Sequence, residues 1–233
     1  MNAASVDSLA EVTVYGHWIC PFATRVEFAL AQRAIAHDQV NVPPTAARPK
    51  GFVVPDEFVA HSPKLEIPLV RIGREWLADS IPILEWMESR FDENPLLPDT
   101  EPERALVRDR MRWVDEHLFP SMIGVYYQVE SQRIAAAAAA LSDAFGEIAQ
   151  WLEDGEWLAG EQLTLVEAVA LPVYVRLEGL RRLGFRHQLP SNVEAHRDRC
   201  SQLVGWPAVA WTDDHVDEFV GRFEKFRERR RLS

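Results

Sequence analysis

Residues 11–16, EVTVYG, alternate apolar Val12 and Val14 with Glu11 and Thr13 and then stop at a glycine. A period of two lays one face of a strand on a core, so a short strand is predicted here. From Pro21 the period lengthens, and Phe22, Val26, Ala29 and Leu30 fall on one helical face. Beyond a proline-rich middle, IPLVRIGREWLADS reads as two strands folded about Ile72-Gly73-Arg74, and SIPILEWMESRF as a helix with Ser80 as its N-cap. The predicted order is strand, helix, proline-rich stretch, hairpin, helix.

The stretch DENPLLPDTEPE, residues 92–103, is polar and proline-rich, and no strand pattern follows it. It divides the chain into a mixed unit over 11–91, a linker over 92–102 and an all-helical unit over 103–233, with 1–10 as a loose tail. RALVRDRMRWVDEHLFPSMIGVYYQVE is a long amphipathic segment expected to kink near Pro120. IAAAAAALSDAFGEIAQWLED reads as an alanine-rich helix ending near Gly155, since alanine is the best helix former. Thr164 and Glu167 form a T-x-x-E capping box that opens an apolar helix. Two more helices are predicted around 192–204 and 213–231.

Composition narrows the classes of function. The 233 residues are 47% hydrophobic, enough for two cores. No run approaches the roughly 18 apolar residues of a membrane helix, and MNAASVDSLA lacks the regions of a signal peptide. A cytoplasmic protein without membrane partners is expected. With 25 basic and 36 acidic side chains the formal charge is −11, which repels polyanions and argues against nucleic-acid binding. The basic C-terminal run RFEKFRERRRLS fits simple compensation of a helix dipole. Two cysteines, Cys20 and Cys200, form neither a disulfide framework nor a metal cluster, and no metal is expected. A reducing compartment fits.

Cys20 stands where the first loop opens into a helix, in HWICPFATR. A free thiol titrates near about 8.5, and a helix N-terminus brings it to roughly 3.5 to 7.5. Pro21 suits the first helical position, and the free amides after it, with Arg25 a turn on, favour a thiolate. The competing reading is an inert buried cysteine, and the local residues leave the two balanced. Position 23 is alanine, so a mixed disulfide on Cys20 needs a second, external thiol for its release. Ile67-Pro68 begins a strand; by frequency alone its peptide bond would be trans. Asp79-Ser80 opens a helix, where a hydroxyl and amides can hold a carboxylate or simply cap the helix. His17 and Trp18 are expected at the mouth of a cleft, with a purely packing role as the competing reading for Trp18. Trp113, His117, Tyr126 and Tyr127 have two readings, a face toward the second substrate or the helical spacing of core aromatics, and the core reading is taken.

Taken together these stretches resemble the cytosolic glutathione transferase superfamily. VYGHWICPFATRVEFAL is similar to the first strand, active-site loop and first helix of its cysteine-type, omega-like members. EFVAHSPKLEIPLV resembles the segment that carries the family's cis-proline, LADSIPILEWMESRF its glutamate-serine pair, and WLAGEQLTLVEAVALPVY its helical-domain capping box. The resemblance implies an α/β thioredoxin-like N-terminal domain, an all-α C-terminal helical bundle and a homodimer. It also implies glutathione as cosubstrate in the first domain and a small-molecule electrophile or disulfide in the cleft. Carried over residue by residue, Cys20 is the catalytic thiol, and Phe22 follows it in the C-P-F-A motif and joins the glutathione site. Ile67, ahead of cis-Pro68, pairs its backbone with the cysteinyl part of glutathione. Asp79 and Ser80 hold the γ-glutamyl end, and Lys50 is the candidate for the glycyl carboxylate. Asp79 departs from the family's glutamate, Leu65 from a common glycine, and Thr164 with Glu167 from serine with aspartate.

Three functions follow. The resemblance and Ala23 favour glutathione-dependent thiol transfer through a mixed disulfide on Cys20. The alternatives are conjugation of glutathione to an epoxide or organohalide, and a non-catalytic interaction module of the same fold.

Overall fold

The alternation of Val12 and Val14 does place a strand, β1 (Val12–Gly16), and all five of its residues are buried. It lies at the centre of a four-stranded sheet in a computed structural model that describes residues 11–232. The tail expected over 1–10 lies outside the described residues. In order along the sheet, β2 (His37–Asn41) runs parallel to β1, β3 (Leu69–Ile72) antiparallel to it, and β4 (Glu75–Ala78) antiparallel to β3. The predicted hairpin is present, and its two-residue turn puts Gly73 at φ +59° ahead of Arg74, a conformation glycine adopts freely. The pleat separates two packings: Val12, Val14, Val70 and Ile72 join the main core, while Tyr15 and Leu69 join a smaller cluster around Phe58.

Two elements of this unit escaped the sequence pattern. β2 reads HDQVN and is an edge strand with no fully buried residue, so it carries no apolar alternation. A short helix, α2 (Asp56–His61), supplies Phe58, whose ring lies 5.9 Å from that of Tyr15. α1 (Pro21–Gln32) starts at the predicted proline. α3 (Ser80–Arg90) starts one residue earlier than expected, because Asp79 is its N-cap and Ser80 its first helical residue.

The segment after α3 is fastened rather than free. Buried Arg33 donates to Glu88 Oε1 at 2.8 Å, to Phe91 O at 2.5 Å and to Glu93 O at 3.1 Å. The other carboxylate oxygen of Glu88 accepts from the amides of Leu96 and Leu97, both at 3.0 Å.

The remainder is helical. α4 (Glu101–Trp113) runs through a π-helical turn, Val114–Leu118, into α5 (Phe119–Tyr127). The bend expected at Pro120 therefore takes the form of a widened turn just before it, which accommodates a residue with no N–H to donate. α6 (Ser131–Trp151) holds the alanine run, and α7 (Leu165–Val175) is buried along its whole length. Its capping box is formed as read: Thr164 N donates to Glu167 Oε2 at 2.9 Å, and Val166 N to Thr164 Oγ1 at 3.3 Å. The helix ends at Val175, and α8 (Leu177–Leu183) follows Arg176. α9 (Ser191–Cys200) and α10 (Asp213–Leu232) complete the chain. α1 packs on α7, which joins the sheet unit to the bundle through one continuous core. The fold is a thioredoxin-like N-terminal domain with an all-α C-terminal domain.

Candidate active site

Between β1 and α1 the loop is closed by Cys20 N donating to His17 O at 2.9 Å, and Cys20 becomes the N-cap of α1 with Pro21 at the first turn. Its Sγ lies 3.7 Å from Ile67 O. Ile67-Pro68 is cis, as the family resemblance implied and contrary to the frequency-based reading. Pairing of β3 with β1 begins only at Leu69, so Ile67 lies outside the ladder. Leu65, where the resemblance placed a glycine, stands at φ +54°, the left-handed region that glycine tolerates best.

The electrostatics at the sulfur differ from the sequence reading. The amides of Phe22 and Ala23 do favour the thiolate, but burial outweighs them and raises the Cys20 pKa above that of an ordinary thiol. Arg25 does not stand free a turn away. It donates to Asp115 Oδ1 at 2.5 Å, Ser80 Oγ at 3.3 Å and Val169 O at 3.2 Å, with its guanidinium 3.8 Å from the Phe119 ring centroid. Arg176 is the cation that favours the thiolate. Fully buried at the end of α7, it donates to Ile19 O and Pro172 O at 3.0 Å each and to Thr24 Oγ1 at 3.4 Å. Burial brings its own pKa down to about 10. Sequence reasoning missed this residue, although an arginine inside the apolar run ALPVYVRLEGL must find buried carbonyls.

Asp79 precedes α3 at φ +68°, ψ 132°, a backbone state that costs about 1–3 kcal/mol in a non-glycine residue. Its carboxylate is exposed and makes no capping bond, so the strain is not offset by helix capping. Ser80 is buried, with its Oγ accepting from Arg25.

Cys20, Phe22, Ile67, Pro68, Asp79 and Ser80 all line one cavity of about 1410 Å³ between the two domains. Lys50 does not; it is exposed in the turn before Gly51, and Lys64 is the lysine that lines the cavity near β3. His17 and Trp18 do not line it either. His17 is buried, which holds its imidazole below the usual pKa, and Trp18 packs against His215 and Trp211 at ring distances of 4.5 and 5.3 Å. Of the four aromatics read as core, Tyr126 and Tyr127 line the cavity, while Trp113 and His117 line a smaller one, about 700 Å³, between α5 and α6. α10 forms the far wall of the large cavity, and Arg222 Nη1 reaches across to Ala47 O at 3.2 Å. Among the described residues no three His, Cys, Asp or Glu side chains are grouped to hold a metal ion, and no helix is long and apolar enough to cross a membrane.

Residues 19–90 match the family model of the glutathione S-transferase N-terminal domain. The chain is 25% identical over 174 residues to a maleylacetoacetate isomerase of Dictyostelium discoideum, covering 71% of this chain and 78% of that one. It is 27% identical over 160 residues to glutathione S-transferase U7 of Arabidopsis thaliana, covering 69% and 67%. Among solved structures it superposes on rice GST1 in complex with glutathione with a TM-score of 0.82, at 19% identity over 94% of this chain and 98% of that one. Residues 19–90 are thus similar to the glutathione S-transferase N-terminal domain, and the fold of the chain is similar to that of glutathione transferases.

Proposed function

We propose that the protein is a glutathione-dependent thiol transferase in which Cys20 carries the reaction. In the first step Cys20 attacks the glutathionyl sulfur of a mixed disulfide; the Cys20–S–S–G bond forms, the substrate's S–S bond breaks, and the thiol proton passes to the leaving thiolate. In the second step a glutathione thiolate attacks the same sulfur, releasing glutathione disulfide and returning the two electrons and the thiol to Cys20. Ala23 supports this monothiol cycle, because no resolving thiol stands beside Cys20.

The observation that carries the reading is the convergence on one cavity of the Cys20 thiol, Ile67 ahead of the cis bond, strained Asp79 and Ser80. In it, Ile67 pairs its backbone with the cysteinyl residue of glutathione, Asp79 takes the γ-glutamyl ammonium, Ser80 takes the α-carboxylate, and Phe22 flanks the thiol. Lys64, in place of Lys50, is the cation we assign to the glycyl end. Residues 11–91 then form the glutathione-binding domain, 92–102 the linker and 103–233 the substrate-binding domain, working as a homodimer. The free thiols Cys20 and Cys200 support a cytoplasmic setting.

A second reading, conjugation of glutathione to an electrophile, is favoured by the raised pKa of Cys20, which keeps the resting group a thiol. Cys20→Ser separates the two. Reduction of a small mixed disulfide falls to background if Cys20 is the nucleophile, whereas conjugation to an epoxide persists or rises in the second mechanism. Disulfide reduction retained by the serine variant would eliminate the thiol-transfer reading.

A further inference from the structure

The basic C-terminal run, read from sequence as dipole compensation, splits in the structure into two groups with different environments. At about 100° per residue, Arg222, Lys225 and Arg229 fall within an arc of roughly 60°, and all three line the large cavity together with Phe223 and Phe226. Arg227 and Arg231 point away from it and hold the bundle, donating to Leu183 O and Gln128 O, and to Val129 O.

Charge pairing along the α10 wall leaves a definite remainder. Asp217 is bound to Arg182 at 2.6 Å and Glu218 to Arg222 at 2.5 Å. Neither Lys225 nor Arg229 has a carboxylate partner among the described residues; Arg229 Nε donates to Lys225 O at 3.2 Å. The cavity's unpaired carboxylates, Glu66 and Asp79, stand beside β3 and α3, at the end assigned to glutathione. So the α10 wall presents two uncompensated cations on a chain whose formal charge of −11 would otherwise repel an anion. The same cavity wall carries the aromatic and apolar side chains of Phe22, Ile123, Tyr126, Tyr127 and Phe219. At about 1410 Å³ the space exceeds the roughly 300–1,000 Å³ of a single small-molecule site, leaving room for a large second ligand beside a tripeptide.

We infer that the second substrate is a large aromatic anion, its ring system against the α10 and α5 aromatics and its carboxylate or sulfonate on Lys225 and Arg229. This deepens the proposed function and rests on it for the identity of the first ligand. Helix-dipole compensation alone would give these cations no effect on ligand choice.

The test is fluorescence titration of 1-pyrenebutyric acid and of its uncharged methyl ester, with and without saturating glutathione, in wild type and in Lys225→Gln/Arg229→Gln. The wild type binds the acid about three- to tenfold more tightly than the ester, the range expected of two solvent-screened ion pairs, and the preference shrinks as salt is raised. In the double variant the two probes bind within about twofold, and Lys225→Gln alone is intermediate; unchanged thermal unfolding verifies that these exposed changes leave the fold intact. Equal binding of acid and ester by the wild type, or a preference that survives in the double variant, overturns the inference. An acid preference in a protein that binds no glutathione would instead overturn the proposed function and leave the anion site standing.

Discussion

Asp79 offers a sharp test because stability and binding should move in opposite directions there. Replacing it with glycine removes a strained φ of +68°, worth about 1–3 kcal/mol, and adds roughly 0.5–1 kcal/mol of backbone entropy lost on folding. Since the carboxylate makes no capping bond, little else is lost. Asp79→Gly should therefore be as stable as wild type or up to about 2 kcal/mol more so, and for a chain of this size each kcal/mol moves Tm by about 2–4 °C. Asp79→Ala lacks the carboxylate equally but keeps the strain, so the difference between the two variants isolates the backbone term. Glutathione affinity should fall about tenfold in both, as expected for one charged hydrogen bond at an open rim. Thermal unfolding and calorimetric titration measure the two effects. A glycine variant less stable than the alanine one, or undiminished glutathione binding in both, would refute the reasoning.

The remaining predictions concern buried groups. Burial raises the Glu27 carboxyl to about 7 despite the 2.7 Å hydrogen bond it accepts from Gln39. Its folded pKa thus exceeds its unfolded value of about 4.3, so its contribution is complete below that pH and is lost as pH rises through 7, about 4 kcal/mol in all. Glu27→Gln should flatten the pH dependence of unfolding between pH 5 and 8 relative to wild type, and parallel profiles would show otherwise. Glu167→Ala strands the buried amides of Leu158 and Thr164 and the Thr164 hydroxyl. The expected cost is about 3–5 kcal/mol, or roughly 10 °C in Tm; a drop under about 3 °C would show that these donors find other partners. Alkylation of native Cys20 should have its midpoint above that of an ordinary thiol because burial raises it, and Arg176→Met, which removes the cation that favours the thiolate, should raise it further. Site-resolved mass spectrometry across pH follows it, and an unchanged midpoint in the variant would remove Arg176 from the account.

What was legible in the sequence was local. Pro21 after Cys20, the Thr164–Glu167 box and the Ile72-Gly73-Arg74 turn each encode a conformation in neighbouring residues, and all three formed as read. β2 was invisible because an edge strand with one partly buried valine needs no apolar alternation. The state of the Cys20 thiol could not be read from HWICPFATR because it depends on burial by distant segments and on Arg176, 156 positions on. The cations of α10 were visible as a run. Which of them face a cavity follows from how the helix is rotated against α5 and α8, information that no short window holds.

The fastened segment after α3 bears on how the cleft can open. Arg33 and Glu88 belong to the first domain by position, yet their hydrogen bonds reach carbonyls and amides between Phe91 and Leu97. A chain cut after residue 91 would leave a buried guanidinium and carboxylate short of partners, so the thioredoxin-like half is an architectural unit without being an autonomous one. Nor can that segment serve as a hinge while these bonds hold. On the α10 side the first domain is tied to the bundle by the Arg222 to Ala47 bond and by Trp18 packed on Trp211 and His215.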